Sequence, residues 1–156
     1  MSDTDVDPTR VVADADVLAA DLLVGGPARD ALDHVREHSW VDLVASDPLL
    51  DDAGYVIATL ADESLARDWR ECISGECVAV EHPAGDHPAL ASAYRGRAPH
   101  LLSFDERLTS ATANLTVQPH MSLSVRTPDA FASVFDAERL YNSVYDGKYP
   151  GPDRRR

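Results

Sequence analysis

Arg10-Val11-Val12-Ala13-Asp14 and His100-Leu101-Leu102-Ser103-Phe104-Asp105 share one pattern, a short apolar run that stops at an aspartate. Runs of this length suit strands buried on both faces, the kind found in parallel sheets. A carboxylate placed just past such a strand lies at its carboxyl end, the edge where open α/β sheets carry their ligand crevice. Two further segments repeat the pattern more loosely: Val41-Asp42-Leu43-Val44-Ala45 precedes Asp52, and Cys77-Val78-Ala79-Val80 precedes Asp86. Four strands each trailed by an aspartate (Asp14, Asp52, Asp86 and Asp105) point to a divalent-metal site at one edge of a sheet.

Helical signals fill the gaps between these strands. Asp16 to Val24 is stopped by Gly25-Gly26, and Pro27 opens a helix with Ala31, Leu32 and Val35 on its apolar face. Ser46 is a good N-cap for a helix through Leu49, Leu50, Ala53, Val56, Ile57 and Leu60, and Asp62 for one carrying Leu65, Ala66, Trp69 and Ile73. Asp86 is placed to cap the helix from Pro88 to Tyr94, with Gly96 ending it. A fifth strand is expected at Leu123-Ser124-Val125, and Thr127 caps a last helix through Phe135. Alternating strands and helices predict a three-layer α/β/α domain around a mainly parallel sheet of about five strands. The chain divides into an acidic, flexible N-terminal tail (1–9), this domain (10–136) and a peripheral C-terminal extension (137–156).

Composition narrows the functional classes. The 156 residues are enough for one domain with a core of its own, and two cysteines give no disulfide framework. No apolar run is long enough to span a bilayer, and the first residues are acidic where a signal peptide is basic, so a cytoplasmic location is expected. The net charge is −13; aspartate outnumbers glutamate by 20 to 7, and Lys148 is the one lysine beside 13 arginines. Such a balance suits molar salt, where the Debye length falls to about 3 Å and self-repulsion is screened. It opposes a broad, non-specific grip on nucleic acid but leaves room for a local arginine patch.

The order of these signals resembles the PIN-domain nucleases, which include the toxin ribonucleases of toxin–antitoxin pairs. The resemblance runs from about Arg10 to Phe135. It rests on Val11 to Leu18, on Ser46 with Leu49-Leu50-Asp51-Asp52, on Asp86-His87-Pro88-Ala89-Leu90-Ala91-Ser92-Ala93 with Leu101 to Asp105, and on Thr127-Pro128-Asp129-Ala130-Phe131. It implies a metal-dependent ribonuclease with an RNA substrate and an antitoxin or homodimer partner. Two positions depart from the family pattern. Asp52 stands where glutamate is usual, one methylene shorter, and Asp16 stands where asparagine is usual, adding a negative charge.

The chemistry follows from the residue types as well. Mg²⁺ and Mn²⁺ are hard cations that take carboxylate, water and phosphate oxygens, and a pair of them can activate water and stabilise a leaving oxygen. Asp14 and Asp105 would be the central ligands, with Asp52 and Asp86 completing the set and Ser103 orienting a ligand or phosphate from behind them. Helical phasing places Asp52, rather than Asp51, near the face that Leu49 and Leu50 anchor. Arg95, Arg97 and Arg107 flank the Asp86 and Asp105 segments as candidate phosphate contacts.

Competing readings are a non-catalytic module of the same fold, binding RNA or protein, and a haloacid-dehalogenase-type phosphatase suggested by Asp14-Ala15-Asp16-Val17-Leu18. The phosphatase would need a lysine in the core, and Lys148 is poorly placed for it. Cys72, Cys77, His82 and His87 recur every five residues and invite zinc, but strand alternation sends Cys77 and His82 to opposite faces, leaving ordinary core cysteines. His100 and His120 are read as structural, and Arg154-Arg155-Arg156 as a solubilising tail. Helix caps and strand-end turns also favour aspartate, and they are the bland account of all four carboxylates.

The charge balance yields the first test. Stability should rise steeply between dilute buffer and molar sodium chloride, as followed by circular dichroism. Equal stability at low salt would remove the high-salt reading.

Overall fold

The computed structural model describes residues 6–109 and 123–154. Five strands, β1 (Arg10–Ala13), β2 (Asp42–Ser46), β3 (Cys77–Val80), β4 (His100–Leu102) and β5 (Ser124–Arg126), form one sheet in the order β3-β2-β1-β4-β5. Every pairing is parallel, and helices flank the sheet, giving the expected α/β/α class. Central strands β1 and β4 carry the most apolar segments for a physical reason: Val11, Val12, Ala13, Leu101 and Leu102 are all essentially solvent-free. Edge strand β3 is only partly covered, and its Ala79 is exposed.

The helices among the described residues are α1 (Ala15–Leu23), α2 (Gly26–Arg36), α3 (Asp47–Leu60), α4 (Glu63–Ser74), α5 (Pro88–Gly96), α6 (Glu106–Thr109), α7 (Pro128–Val134) and α8 (Ala137–Val144). Helix α5 lies against β2, β1 and β4, while α1 packs on α2 and α3, α3 on α4, and α2 on α7. Ser46 and Asp62 cap α3 and α4 as expected, each side chain accepting the N–H three residues on. None of the described helices is long and apolar enough to cross a membrane.

Several local expectations are corrected. Strand β4 stops at Leu102 instead of running to Phe104, because the Phe104 N–H donates to the Asp16 carboxylate at 3.1 Å and leaves the ladder. His87, not Asp86, caps α5, its Nδ1 accepting the Leu90 N–H at 3.5 Å. Pro88 takes the first helical position and holds the residue before it extended, which makes that residue the cap. Cys72 is exposed rather than core, while burial pushes the Cys77 thiol up to about 12. The C-terminal extension contains α8. Its Tyr141 packs edge-on to Trp40 at 5.3 Å, and the Tyr149 hydroxyl lies 2.6 Å from Nε2 of buried His38. Residues 1–5 of the acidic tail, His120, Arg155 and Arg156 lie outside the described residues.

Gly96 lets α5 approach the sheet: a Cβ there would stand 2.5 Å from Val44 Cγ1. Gly54, inside α3, has open space around its missing Cβ. Gly96→Ala should therefore cost about 1–3 kcal/mol by overpacking. Gly54→Ala should gain about 0.5–1 kcal/mol from helix propensity. Urea denaturation of both variants checks the pair, and equal effects would contradict the packing of α5.

Candidate functional site

The chain runs outward from β1 to β2 and β3, then returns to β4 on the other side of β1. The two strands at that reversal are β1 and β4, and their carboxyl ends form the switch point where open α/β sheets bind ligands. Asp14 and Ser103-Phe104-Asp105 follow those two ends directly.

Asp14 is fixed on three sides. Its N–H donates to the Leu102 carbonyl at 2.8 Å, extending the β1–β4 ladder by one residue. One carboxylate oxygen accepts the Ala15 N–H at 2.8 Å, which makes Asp14 the N-cap of α1. The other accepts the Ser103 hydroxyl at 2.9 Å. Ser103 is fully buried, and its Oγ also accepts the Asp105 N–H at 3.0 Å. This single hydroxyl thus brackets the two aspartates expected to be central.

Asp16, in the first turn of α1, belongs to the same group. Its Oδ2 holds the Phe104 N–H, whereas its Oδ1 is buried with no hydrogen-bond partner. Burial raises its pKa above the ordinary 3.8, and the negative charges of Asp14 and, more weakly, Asp105 raise it further. An orphaned carboxylate oxygen beside two more carboxylates is a site short of positive charge.

Asp105 answers part of that demand from within the chain. The Arg107 guanidinium grips it through both oxygens, at 3.2 and 3.1 Å, and the Arg107 N–H adds a bond at 2.9 Å. These bonds hold the Asp105 pKa below the usual carboxylate value, with a smaller contribution from His87 nearby. Arg107 therefore meets a protein carboxylate where the sequence suggested a phosphate.

The remaining aspartates are differently placed. Asp52, in the second turn of α3, and Asp86, two residues before α5, are exposed and form no side-chain hydrogen bond or ion pair with the described residues. Asp51 is turned toward α4 and pairs with Arg70 at 3.4 Å. Both Asp52 and Asp86 follow strands of an all-parallel sheet and so belong to its carboxyl edge, but neither joins the Asp14–Ser103–Asp105 network. Among the described residues, no three His, Cys, Asp or Glu side chains are gathered as a metal-holding group.

Other candidates resolve into structural roles. His82 Nε2 lies 2.8 Å from the Ser46 hydroxyl, and its Nδ1 lies 3.0 Å from the Pro83 carbonyl, an acceptor that assigns the proton to Nδ1. Buried Ser92 donates to the same Ser46 Oγ at 3.0 Å. Burial, aided by Arg126, lowers the His100 pKa to about 4, and its ring packs on Phe131. Arg95 and Arg97 end α5 at the opposite edge of the sheet, beside Arg10 at the start of β1. Adjacency in sequence to Asp86 and Asp105 suggests otherwise; the length of α5 separates them.

Sequence reading also missed the buried Asp21, which pairs with Arg36 across α1 and α2; burial still raises its pKa, outweighing the guanidinium. No periodic signal marks that pair. An Asp-x-Arg pattern at 105 and 107, which invites a side-chain-to-backbone turn, is the available clue to the Arg107 clamp.

A parallel α/β protein with an acidic switch-point edge is the class that fold and site define. The chain belongs to the family of unknown function DUF7384, whose model matches residues 5–156. No curated protein and no solved structure matches it.

The raised Asp16 pKa has a definite sign. A carboxylate that ionises less readily when folded favours the native state below its unfolded pKa, and that contribution is lost as pH rises through the folded value. At pH 7, in chelator, the charged Asp16 is a burden. Asp16→Asn should therefore melt higher than wild type at pH 7, with the difference shrinking as pH falls toward 3.8. Thermal melts across that range check it; a lower-melting Asn variant at pH 7 would refute the charge account.

Proposed function

We propose that this protein is a cytoplasmic, metal-dependent nuclease that hydrolyses phosphodiester bonds in RNA. The observation carrying this reading is the buried, unpartnered Asp16 Oδ1 beside Asp14 and Asp105 at the β1–β4 switch point. Asp14, Asp16 and Asp105 would hold Mg²⁺ or Mn²⁺, for which an all-oxygen donor set is suited. When bound, the ion supplies charge neutralisation at the phosphate and a more acidic water.

The chain's own residues set the geometry. Ser103 aims Asp14 by donating to one of its oxygens, and Ala15 N–H fixes the other. The Phe104 N–H fixes Asp16, leaving its second oxygen for the cation. Arg107, if exchanged from Asp105, would offer its guanidinium to an incoming phosphate oxygen. Asp52 and Asp86 are further oxygen donors at this edge and would add ligands with substrate and cation both bound. The bidentate Arg107–Asp105 pair favours a second reading, a non-catalytic module whose acidic edge is already neutralised.

Mg²⁺ or Mn²⁺ should raise the melting temperature of wild type by linkage. Asp14→Asn and Asp105→Asn should lose most of that rise, and all metal-dependent cleavage of single-stranded RNA in high salt. Asp52→Asn should lose cleavage far more than Asp51→Asn. If wild type and Asp14→Asn respond equally to metal, the site is wrong. A metal response without cleavage of any RNA would leave the non-catalytic module.

A further inference from the structure

We infer that Arg95 and Arg97, with Arg10, form a phosphate-binding groove for single-stranded nucleic acid, connected along α5 to the carboxylate edge. The groove is lined by Val6, Asp7, Pro8, Arg10, Arg95 and Arg97. Arg10 is its fixed wall: Nη1 donates to the Gly96 carbonyl at 3.0 Å, while Nε lies 3.5 Å from Asp7 and 3.7 Å from Asp42. Arg10 is thus compensated. Arg95 and Arg97 are exposed and have no hydrogen bond or ion pair from their side chains to the described residues.

That lack of compensation is informative in this chain. Acidic residues outnumber basic ones by 27 to 14, and Arg36, Arg70 and Arg107 have each found a carboxylate. Two neighbouring guanidinium groups that pair with no acid among the described residues, in a protein of charge −13, mark a place where an external anion meets less repulsion. Backbone conformation adds a second sign. Arg97 caps the C-terminus of α5 at φ 56°, the left-handed region where glycine is usual, so an arginine stands at a strained backbone position beside the groove.

The path between the two edges favours a single strand. Helix α5 spans roughly 13 Å at 1.5 Å per residue, a length a few nucleotides can bridge. At its start, His87 lies close enough to Asp105 to bias its ionisation. In its last turn, beside the arginines, Tyr94 is 49% exposed and offers a ring on which an unpaired base can stack. A duplex would instead press a broad phosphate surface against an acidic protein. The nucleic-acid assignment rests on the proposed reading of the carboxylate edge, whereas the arginine groove stands on its own geometry.

The test is fluorescence anisotropy with the full chain in chelator, so that nothing is cleaved, at the lowest salt where circular dichroism shows the native fold. The probes are a fluorescein-labelled oligouridylate of about 12 nucleotides and a blunt RNA duplex of matching length. Wild type should bind the single strand at least about tenfold more tightly than the duplex. Arg95→Gln/Arg97→Gln should weaken single-strand binding by about tenfold or more. It should also flatten the dependence of log K on log salt by about 1.4, roughly 0.7 for each phosphate that is no longer neutralised. Tyr94→Leu should weaken the single strand but not change the salt slope. Unchanged binding by the double arginine variant, no binding by wild type, or equal binding of the duplex would each overturn the inference. Arginine-dependent binding without metal-dependent cleavage would uphold the groove and sink the hydrolase reading, and arginine-independent binding with cleavage would do the reverse.

Discussion

The pairing of β1 with β4 is the constraint on which this molecule depends. It joins segments far apart in sequence, fills the centre of the sheet with side chains that see no solvent, and sets two strand ends side by side. The ladder does not stop where the strands do. Asp14 donates to Leu102, and the Ser103 N–H donates to the Arg126 carbonyl at 3.0 Å, so the backbone beneath the carboxylates is held on both flanks. A hydroxyl with no exposure then couples what the backbone has aligned. The carboxylates are therefore held by the core, as a preorganised site requires.

Charge is the second organising force. The acidic edge is relieved from inside by Arg107, and the α1–α2 and α3–α4 seams by Arg36 and Arg70. Each arginine offers a planar fork able to engage two oxygens or two carboxylates, which a lysine cannot reproduce, and the near-absence of lysine in the chain fits that use. The pattern leaves Asp16 and Asp21 as carboxylates whose burial is not fully offset, and the last turn of α5 as a place where positive charge is not consumed among the described residues.

Fold class and strand positions were readable because buried parallel strands and their following helices imprint period and punctuation on the chain. Strands β1 and β3 sit where apolar runs placed them, β2 and β5 are each shifted by one residue toward the carboxyl end, and β4 ends two residues early. Asp14 and Asp105 were readable for the same reason, since the strand that precedes each one fixes its location. Asp52 and Asp86 were not, because a residue several positions past a strand is placed by helix phase and loop course. Arg95 and Arg97 were misplaced by the same kind of error: neighbours in sequence to the site, they lie a helix length away. In the sequence Asp16 is only a departure from a family pattern; the structure shows it half-buried with one carboxylate oxygen unbonded.

The C-terminal extension gives the molecule a built-in optical label. The chain has two tryptophans, and they report on different events. Trp69 is buried within α4, so its emission follows loss of the core. Trp40 is covered by the rings of Tyr141, in α8, and Tyr145, just past its end, at 5.3 and 6.1 Å, and its indole N–H is buried without an acceptor. Undocking of the extension would hydrate that N–H and shift the Trp40 spectrum to the red while Trp69 stayed blue. One emission spectrum therefore separates release of the C-terminal arm from unfolding of the sheet.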